Sequence, residues 1–486
     1  MAKVPLTFSE EELQKLFGHE AAEDEDISRL REYYFKTSTY DQISTDLPLR
    51  ILVGHKGIGK SALFQVAIAE EREREQIAVL IRPDDIVGLG TDTTDFLKTI
   101  REWKTGLSEI IARKVLTTVT ESNENWQMKF KRYVGPILGF LEDTFREQLK
   151  ISTAPTKKAL INHFIQSGRI SVYIDDLDRG WQGRKEDINR ISALINAIRD
   201  ISSECRGINF RISLRSDVYY LVRTSDESTD KIEGSVIWQS WTNHGILVLL
   251  IKRIERFFGN DIDERELLAT PQYKLAHYLE PVMEKKFRGM GHWENAPMYR
   301  VLMSLVRKRP RDLVKLCTLA GRKAREKNDN LIRTNHFEQI FEEYSQGRLQ
   351  DTINEFRSEL PEIGRLLLSM KPSRKEKTAR EGYVYSTNTL FAKIKNIYEQ
   401  GDFRLVNGEV ANAKRLASFM YKINFLTARK VTTHGIVRKY FEENRYLSNE
   451  FVDFGFEWEI HPAYRWALQP DNIKDIYSNL ILSADE

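Results

Sequence analysis

The chain of 486 residues contains only two cysteines, Cys205 and Cys317. Two thiols are too few for a disulfide framework or a thiolate zinc site, and such a low count favours a reducing compartment. The first residues, MAKVPLTFSEEELQKLF, include no apolar core of the kind that a signal peptide has. Apolar runs are short throughout, and GILVLLI at residues 245–251 falls far below the length that spans a bilayer. We therefore expect a cytoplasmic protein with no membrane partner.

An excess of charge of one sign is also missing. Lysine and arginine number 74 against 71 acidic residues, which gives a formal charge of +3. For a chain of this size, such a small net charge does not indicate a charged partner. Any surface that binds nucleic acid must therefore be a local patch. The nine histidines show no HExxH spacing, and neither a GxSxG nor an LSGGQ string occurs. Metalloprotease, serine-hydrolase and ABC-type chemistry are therefore not indicated.

Near-continuous apolar runs alternate with helical patterns in the first half of the chain. The runs are RILV (50–53), IAVLIRP (77–83), RISVYIDD (169–176) and INFRISL (208–214). Strands that are apolar on both faces and alternate with helices predict a parallel sheet with helices on both faces. Beyond about residue 260 the strand patterns fade, and residues 265–345 show apolar positions at helical spacing. The fold class that we predict is an α/β core followed by helical domains.

A glycine-rich motif follows the first apolar run. Residues 54–61 read GHKGIGKS, a complete match to G-x-x-x-x-G-K-[ST]. The glycines at 54, 57 and 59 let the backbone wrap around phosphates, so that successive N–H groups point at the anion. Lys60 places a positive charge beside the β- and γ-phosphates, and Ser61 supplies a hydroxyl ligand for magnesium. The predicted nucleotide-binding residues are Gly54, His55, Lys56, Gly57, Ile58, Gly59, Lys60, Ser61 and Ala62.

A second motif consists of an apolar strand that ends in adjacent carboxylates, VYIDDLDRGW at residues 172–181. This is the form of a Walker B segment. We expect Asp175, at the strand end, to hold Mg²⁺ through water. Asp176, one residue further, would orient or deprotonate the attacking water. Asp178 is near enough to remain an alternative base.

Two arginines complete the predicted site. Arg215 follows directly after the strand INFRISL, a position from which its side chain can touch the γ-phosphate. The alternative is an ion pair at the rim with Asp217 or Asp178. Arg311 follows a proline at the start of an apolar helix in RKRPRDLVKLC (307–317), where it either reaches back over the nucleotide or is a solvated residue.

With these motifs, the chain resembles a bacterial family of P-loop ATPases allied to the KAP and STAND NTPases and to origin-recognition-like AAA+ proteins. The resemblance runs through FG (17–18), AAEDE (21–25), VGHKGIGKSAL (53–63), YIDDLDRGW (173–181), LRSDVYY (214–220) and RPRDLVKLC (309–317). It implies that Arg215 is a sensor and that Arg311 is a lid arginine. It also implies ATP and Mg²⁺ as cofactors, homo-oligomerisation and a separate effector protein. Unlike many KAP and STAND proteins, this chain has neither inserted membrane helices nor a repeat array.

The resemblance also suggests how the chain is divided. The predicted segments are an N-terminal helical segment (1–48), the P-loop ATPase core (49–262), a helical lid (263–348) and a mostly helical C-terminal domain (349–486). In the last of these, FVDFGFEWEIHPAYRWAL is typical of the hairpin and final helix of a winged-helix module. No arginine finger stands out, although Arg253 and Arg256 are candidates on an apolar helix.

Three functions compete at this stage. The first is an ATP-driven switch that regulates a separate effector, as in bacterial anti-phage defence. The second is a nucleic-acid-handling ATPase in replication, repair or mobile-element biology. The basic run at Lys371, Arg374, Lys375, Lys377 and Arg380 is either a solvated loop or, in this second function, a contact to phosphates. The third is a scaffold that binds ATP but barely hydrolyses it, and the intact Asp175 and Asp176 argue against it.

Overall fold

The computed structural model describes residues 5–91, 95–121, 169–205, 207–225, 227–373, 376, 382–433, 435–444, 447, 455–469, 476–477 and 480–485. The described chain forms two compact units. The core unit comprises residues 36–56 and 60–239, and the helical unit comprises residues 1–35, 57–59 and 240–486. Four residues of the predicted basic run, at positions 374, 375, 377 and 380, lie outside the described residues.

The α-helices are, in chain order, α1 (Glu10–Phe17), α2 (Ile27–Tyr33), α3 (Ser38–Ile43), α4 (Lys60–Glu73), α5 (Phe96–Glu121), α6 (Lys185–Glu204), α7 (Ser216–Ser225), α8 (Asn243–Phe257), α9 (Glu264–Ala269), α10 (Gln272–Leu275), α11 (Met298–Leu305), α12 (Pro310–Glu326), α13 (Thr334–Phe356), α14 (Ile363–Ser369), α15 (Thr387–Tyr398), α16 (Ala413–Lys422) and α17 (Arg465–Leu468). Short 3-10 helices lie at Ala22–Asp24, Pro83–Ile86, Glu227–Ser235, Ala276–Leu279, Gly291–Trp293 and Pro462–Tyr464. The β-strands are β1 (Leu49–Gly54), β2 (Ile77–Ile81), β3 (Ile170–Ile174), β4 (Ile208–Arg215), β5 (Val236–Trp238), β6 (Lys286–Arg288), β7 (Glu294–Pro297), β8 (Val384–Tyr385), β9 (Leu426–Thr432), β10 (Gly435–Lys439) and β11 (Glu457–Ile460). Within the described part of the chain, no helix is both long and apolar enough to cross a membrane.

The core unit is built on a sheet of five parallel strands in the order β2-β3-β4-β1-β5. Every residue of β3 is buried, as is β1 apart from Arg50. Strands with so few exposed positions must have both faces of the sheet packed against other elements, as the continuous apolar runs predicted. The predicted α/β P-loop core is therefore confirmed.

The register of the sheet brings the two motif strands to the same edge. Gly54, at the end of β1, lies opposite Arg215 at the end of β4. On the other side of β4, Ile212 pairs with Ile174, the last residue of β3. Because parallel strands share their carboxyl edge, the end of β4 stands between the glycine-rich loop and the Walker B carboxylates.

The helical unit contains more strand than the sequence predicted. A two-stranded antiparallel sheet, β6–β7, interrupts the region 265–345 that was expected to be helical. A second antiparallel sheet has the order β10-β9-β11-β8. The predicted C-terminal segment FVDFGFEWEIHPAYRWAL supplies β11, which pairs with β8 and β9, and the short helix α17; its residues 451–454 lie outside the described residues.

A buried ionic cluster fixes the start of α12 in the helical unit. Asp312 accepts hydrogen bonds from Arg307 Nε at 2.7 Å, from Arg307 Nη2 at 2.9 Å and from Arg348 Nη1 at 2.7 Å. Arg307 also donates to Tyr464 Oη at 2.7 Å and to Thr352 Oγ1 at 2.8 Å. Burial alone would raise the pKa of Asp312, but the attraction of Arg307 and Arg348 outweighs it and lowers that pKa far below its usual range. The first turn of α12 is therefore held by charged groups that water does not reach.

Candidate functional site

The glycine-rich loop is the turn between β1, which ends at Gly54, and α4, which begins at Lys60. Gly57 and Gly59 have φ angles of +77° and +102°, which are disfavoured for residues that carry a Cβ. A Cβ at Gly59 would have no neighbouring atom within 4 Å, so the positive φ angle, and not a lack of space, is the reason that this position favours glycine. Because the loop leads into the N-terminus of α4, its N–H groups and the helix dipole together favour an anion.

Lys60 folds back over this loop. Its Nζ donates to the main-chain oxygen of Gly54 at 2.9 Å and to that of His55 at 3.1 Å. Carbonyl oxygens carry only partial charge, so a phosphate with full negative charge would compete well for the same ammonium group. The other motif residues lie as expected for a loop and a first helical turn: Lys56 is exposed, and Ser61 and Ala62 are half-buried.

The tip of the loop, Gly57–Gly59, belongs by its contacts to the helical unit. The main-chain N–H of Arg311 donates to Gly57 O at 3.3 Å, and Trp241 Nε1 donates to Ile58 O at 2.8 Å. A Cβ on Gly57 would lie 3.0 Å from Arg311 Cβ, so glycine is needed there for close approach as well as for its φ angle. Arg311 Nε donates to Glu20 O at 2.9 Å. Arg311 thus contacts the loop tip, and its role at the nucleotide stays a prediction.

The three carboxylates after β3 have different surroundings. Asp175 continues the sheet by one residue, since its N–H donates to Ile81 O at 3.2 Å, and its Oδ1 accepts a short hydrogen bond from Ser213. Asp176 is exposed and has a φ angle of +59°, a left-handed conformation that aspartate tolerates better than most residues. Asp178 pairs with Arg215. The three carboxylates therefore differ in exposure and in their contacts, and which of them acts as the base stays a prediction.

Ser61 and Asp175 suit magnesium in their chemistry. Both offer oxygen donors, which Mg²⁺ prefers, and Asp175 keeps its second oxygen, Oδ2, without a hydrogen bond to any described residue. Among the described residues, no group of three or more histidine, cysteine or carboxylate side chains could hold a metal ion by itself. This donor set fits an ion that keeps several waters and shares its ligands with substrate phosphates.

Arg215 lies between two carboxylates. Its Nη2 and Nε donate to Asp217 at 2.6 and 3.0 Å, and its Nη1 donates to Asp178 at 3.2 Å. The rim ion pair that the sequence left open is therefore present, with both partners at once. Since Asp178 makes the single, longer contact, it is the partner that a γ-phosphate would displace more easily.

Three contacts of the site were not predicted from the sequence. They involve Ser213 with Asp175, Ser216 with His55, and Trp241 with Ile58. A serine in the apolar strand INFRISL, at two-residue spacing from Arg215, could have drawn attention to Ser213. Ser216 and Trp241 carry no such signal, because their partners lie 161 and 183 residues away.

The two candidate arginine fingers are not equivalent. Arg253 donates a short hydrogen bond to Phe17 O and lies 4.6 Å from the Tyr33 ring centre, so it is committed within the helical unit. Arg256 pairs with Asp261 at 2.6 Å on the surface. Both remain predictions as arginine fingers, with Arg256 the more exposed of the two.

No protein-family model matches the sequence. The chain is 22% identical over 509 aligned residues to an 80.3 kDa protein assigned to transposon gamma-delta in Escherichia coli strain K12; the alignment covers 95% of this chain and 69% of that protein.

Among solved structures, the chain is similar to the ORC1 protein of Aeropyrum pernix in complex with DNA, with a TM-score of 0.35, 12% identity and coverage of 89% of this chain and 92% of that one. It is also similar to the RuvB Holliday junction branch migration motor of Thermotoga maritima, with a TM-score of 0.32, 11% identity and coverage of 86% and 94%. Because both TM-scores lie below 0.5, the fold assignment rests on the strand order of the sheet itself.

Proposed function

We propose that the chain is an ATP-binding and ATP-hydrolysing molecular switch. The observation that carries this proposal is the loop GHKGIGKS in its strand–loop–helix setting, with Lys60 Nζ held by two main-chain carbonyls of the same loop. A lysine ammonium that donates to neutral carbonyl oxygens can exchange them for phosphate oxygens with a net gain of charge–charge attraction.

The chemistry follows from the named side chains. The loop N–H groups and Lys60 would bind the β- and γ-phosphates, and Ser61 and Asp175 would hold Mg²⁺, which neutralises phosphate charge. Asp176 would orient a water for attack and accept its proton, since it is exposed and adjacent to Asp175. Arg215 would contact the γ-phosphate after leaving Asp178.

The test is nucleotide binding by the full chain, measured by calorimetry with a slowly hydrolysed ATP analogue and Mg²⁺. A charge-assisted contact in a partly dry site contributes about 2–3 kcal/mol, so Lys60→Ala should weaken binding roughly a hundredfold. Lys104→Ala is the matched control, because Lys104 lies on α5 and pairs with Glu204 on the surface. Equal affinities for the two variants would refute the assignment.

The switch itself would depend on the γ-phosphate. A ligand shifts an equilibrium only through its different affinity for the two states. Arg215 in the core unit and Arg311 at the loop tip are the groups that we propose to distinguish ATP from ADP. Homo-oligomerisation linked to the ATP state is part of the same proposal. Control of a separate effector in anti-phage defence rests on the family resemblance alone.

A nucleic-acid-handling ATPase is the second candidate. In the C-terminal sheet, β8 is followed by α15 and α16 and then by β9 and β11, and β11 lies between β8 and β9. We propose that this arrangement is a winged helix with β10 as an added strand. Lys414 on α16 and Lys430 on β9 are exposed and would contact DNA phosphates in this proposal. The similarity to a transposon-assigned protein favours the same candidate.

Salt-dependent binding to duplex DNA discriminates the two candidates. Each lysine that contacts a phosphate adds about one unit to the slope of log affinity against log salt. Lys414→Ala and Lys430→Ala together should therefore lower this slope by about two, whereas Lys327→Ala, an exposed lysine at the end of α12, should leave it unchanged. If the wild-type chain shows no salt-dependent DNA binding, the switch candidate stands alone.

A further inference from the structure

The junction between β4 and α7 bonds to three separate parts of the site. Within residues 213–217, Ser213 contacts the Walker B carboxylate Asp175, Arg215 contacts Asp178, and Ser216 contacts His55 of the glycine-rich loop. This follows from the sheet order, in which β4 is the one strand that neighbours both β1 and β3. A rigid junction at this place can set the distance between the phosphate-binding loop and the metal-binding carboxylate.

The contact from Ser216 acts on Lys60 through His55. Ser216 Oγ and His55 Nδ1 are hydrogen-bonded at 3.1 Å, and both residues are buried, with 2% and 1% of their surface exposed. The main-chain oxygen of the same His55 accepts a hydrogen bond from Lys60 Nζ. Fixing the imidazole therefore fixes the peptide unit that holds the ammonium group before nucleotide arrives.

The contact from Ser213 acts on Asp175 directly. The serine is 1% exposed and donates to Oδ1, which leaves Oδ2 turned to other partners. A carboxylate held in this way has one preferred rotamer, and its free oxygen points in one direction. Without the serine, the carboxylate could rotate among several orientations and would spend less time aligned toward a metal ion.

We propose that Ser213 and Ser216 are positioning residues of the nucleotide site, with Ser213 orienting the metal-binding carboxylate and Ser216 orienting the phosphate-binding loop. This inference rests on the proposed ATP site and assigns to it two residues that lie outside both motifs. It predicts that the two serines affect different ligands, although they are only three positions apart on the same strand–helix junction.

The experiment measures the affinity of the full chain for an ATP analogue in EDTA and the Mg²⁺ concentration that half-saturates the Mg²⁺-dependent increase in affinity. Loss of a buried hydrogen bond typically changes an equilibrium by about three- to tenfold. Ser216→Ala should weaken metal-free affinity by that factor and leave the half-saturating Mg²⁺ concentration unchanged. Ser213→Ala should raise the half-saturating Mg²⁺ concentration by a similar factor and leave metal-free affinity unchanged.

Ser171→Ala is the matched control. Ser171 is also buried in the sheet, and its Oγ donates to Glu71 at 3.1 Å, but it lies near the amino end of β3, away from the motifs. It should change neither measurement. Ser213→Thr and Ser216→Thr keep the hydroxyl group and should therefore retain most of the wild-type affinity and Mg²⁺ dependence. If the alanine variants were simply misfolded, the threonine variants would not be expected to behave differently from them.

Two results would overturn the inference. If the two alanine variants match Ser171→Ala, or if both move the two measurements together, then the serines do not position separate ligands. If wild type and Lys60→Ala bind the analogue equally, the proposed ATP site fails and the inference fails with it. The Lys60 comparison therefore separates failure of the site from failure of the positioning role.

Discussion

Replacing Asp312 by asparagine should destabilise the helical unit strongly. Asp312 is 1% exposed and neutralises two arginines, Arg307 and Arg348, whose side chains are 1% and 4% exposed. Asparagine keeps the shape of the side chain but removes its charge, so two cations would remain buried beside a neutral amide. Breaking a buried ion pair by removing one partner typically costs about 3–5 kcal/mol.

The same arginine provides an internal control. Arg348 Nη2 also pairs with Asp351 at 2.9 Å, but the Asp351 side chain is 54% exposed. An exposed pair is typically worth about 0–1 kcal/mol, so Asp351→Asn should cost much less than Asp312→Asn. The assay is urea unfolding of the full chain followed by tryptophan fluorescence. Equal shifts for the two variants would refute the argument that burial decides the cost.

The pH dependence of this difference has a definite sign. Because the folded pKa of Asp312 is lowered, its contribution is complete above the ordinary aspartate pKa and is lost only as pH falls through the folded value. The cost of Asp312→Asn should therefore be the same at pH 7 and at pH 5. A cost that shrinks over this interval would show that the carboxyl group is already protonated in the folded state.

Three further predictions concern catalysis, assembly and pH. Asp176→Asn, which tolerates the same left-handed backbone, should keep ATP bound but slow hydrolysis by about 10²–10⁴-fold, as measured by phosphate release; turnover near that of wild type would point to Asp178. Asp176→Ala with ATP and Mg²⁺ should form a larger assembly than the ADP form in mass photometry, and Arg215→Ala should reduce that difference; identical masses in all states would remove the oligomer proposal. Burial lowers the pKa of His461 well below its usual range, and its Nδ1 accepts from an N–H, so the folded state excludes a proton that the unfolded state binds. Stability should therefore fall as pH drops below about 6.5, and His461→Gln should remove that part of the pH dependence in urea titrations.

The core strands were predictable because each is a long apolar run between turn signals. The apolar run at 50–53 lies in β1 (Leu49–Gly54), and the run at 208–214 lies in β4 (Ile208–Arg215). Two strands of the C-terminal sheet that were not predicted, β9 and β10, have seven and five residues. Three others that were not predicted, β5, β6 and β7, have only three or four residues. A strand of that length shows less than two full alternations of side-chain direction, so hydrophobic periodicity cannot identify it.

Some residues of the candidate site could be predicted from short sequence motifs, whereas others are brought together only by the fold. Phosphate chemistry constrains residues at fixed spacing, so Gly57, Gly59 and Lys60 could be identified from eight consecutive letters. Asp175 contacts Ser213, which is 38 residues away in sequence and adjacent only through the order of the strands. The sequence also left open whether Arg215 pairs with Asp178 or Asp217, because that choice depends on how the loop after β3 folds.

The first turn of α12 connects the tip of the glycine-rich loop with the C-terminal part of the helical unit. On one side Arg311 contacts Gly57, so any change in the loop tip acts on this turn. On the other side its neighbour Asp312 is bound by Arg307, which donates to Tyr464 just after β11. Buried ion pairs break only at high cost, so the turn and the segment around Tyr464 should move together rather than separately. If ATP and ADP place Arg311 differently, we expect the segment around Tyr464 to move with it, and we propose this segment as the output of the switch.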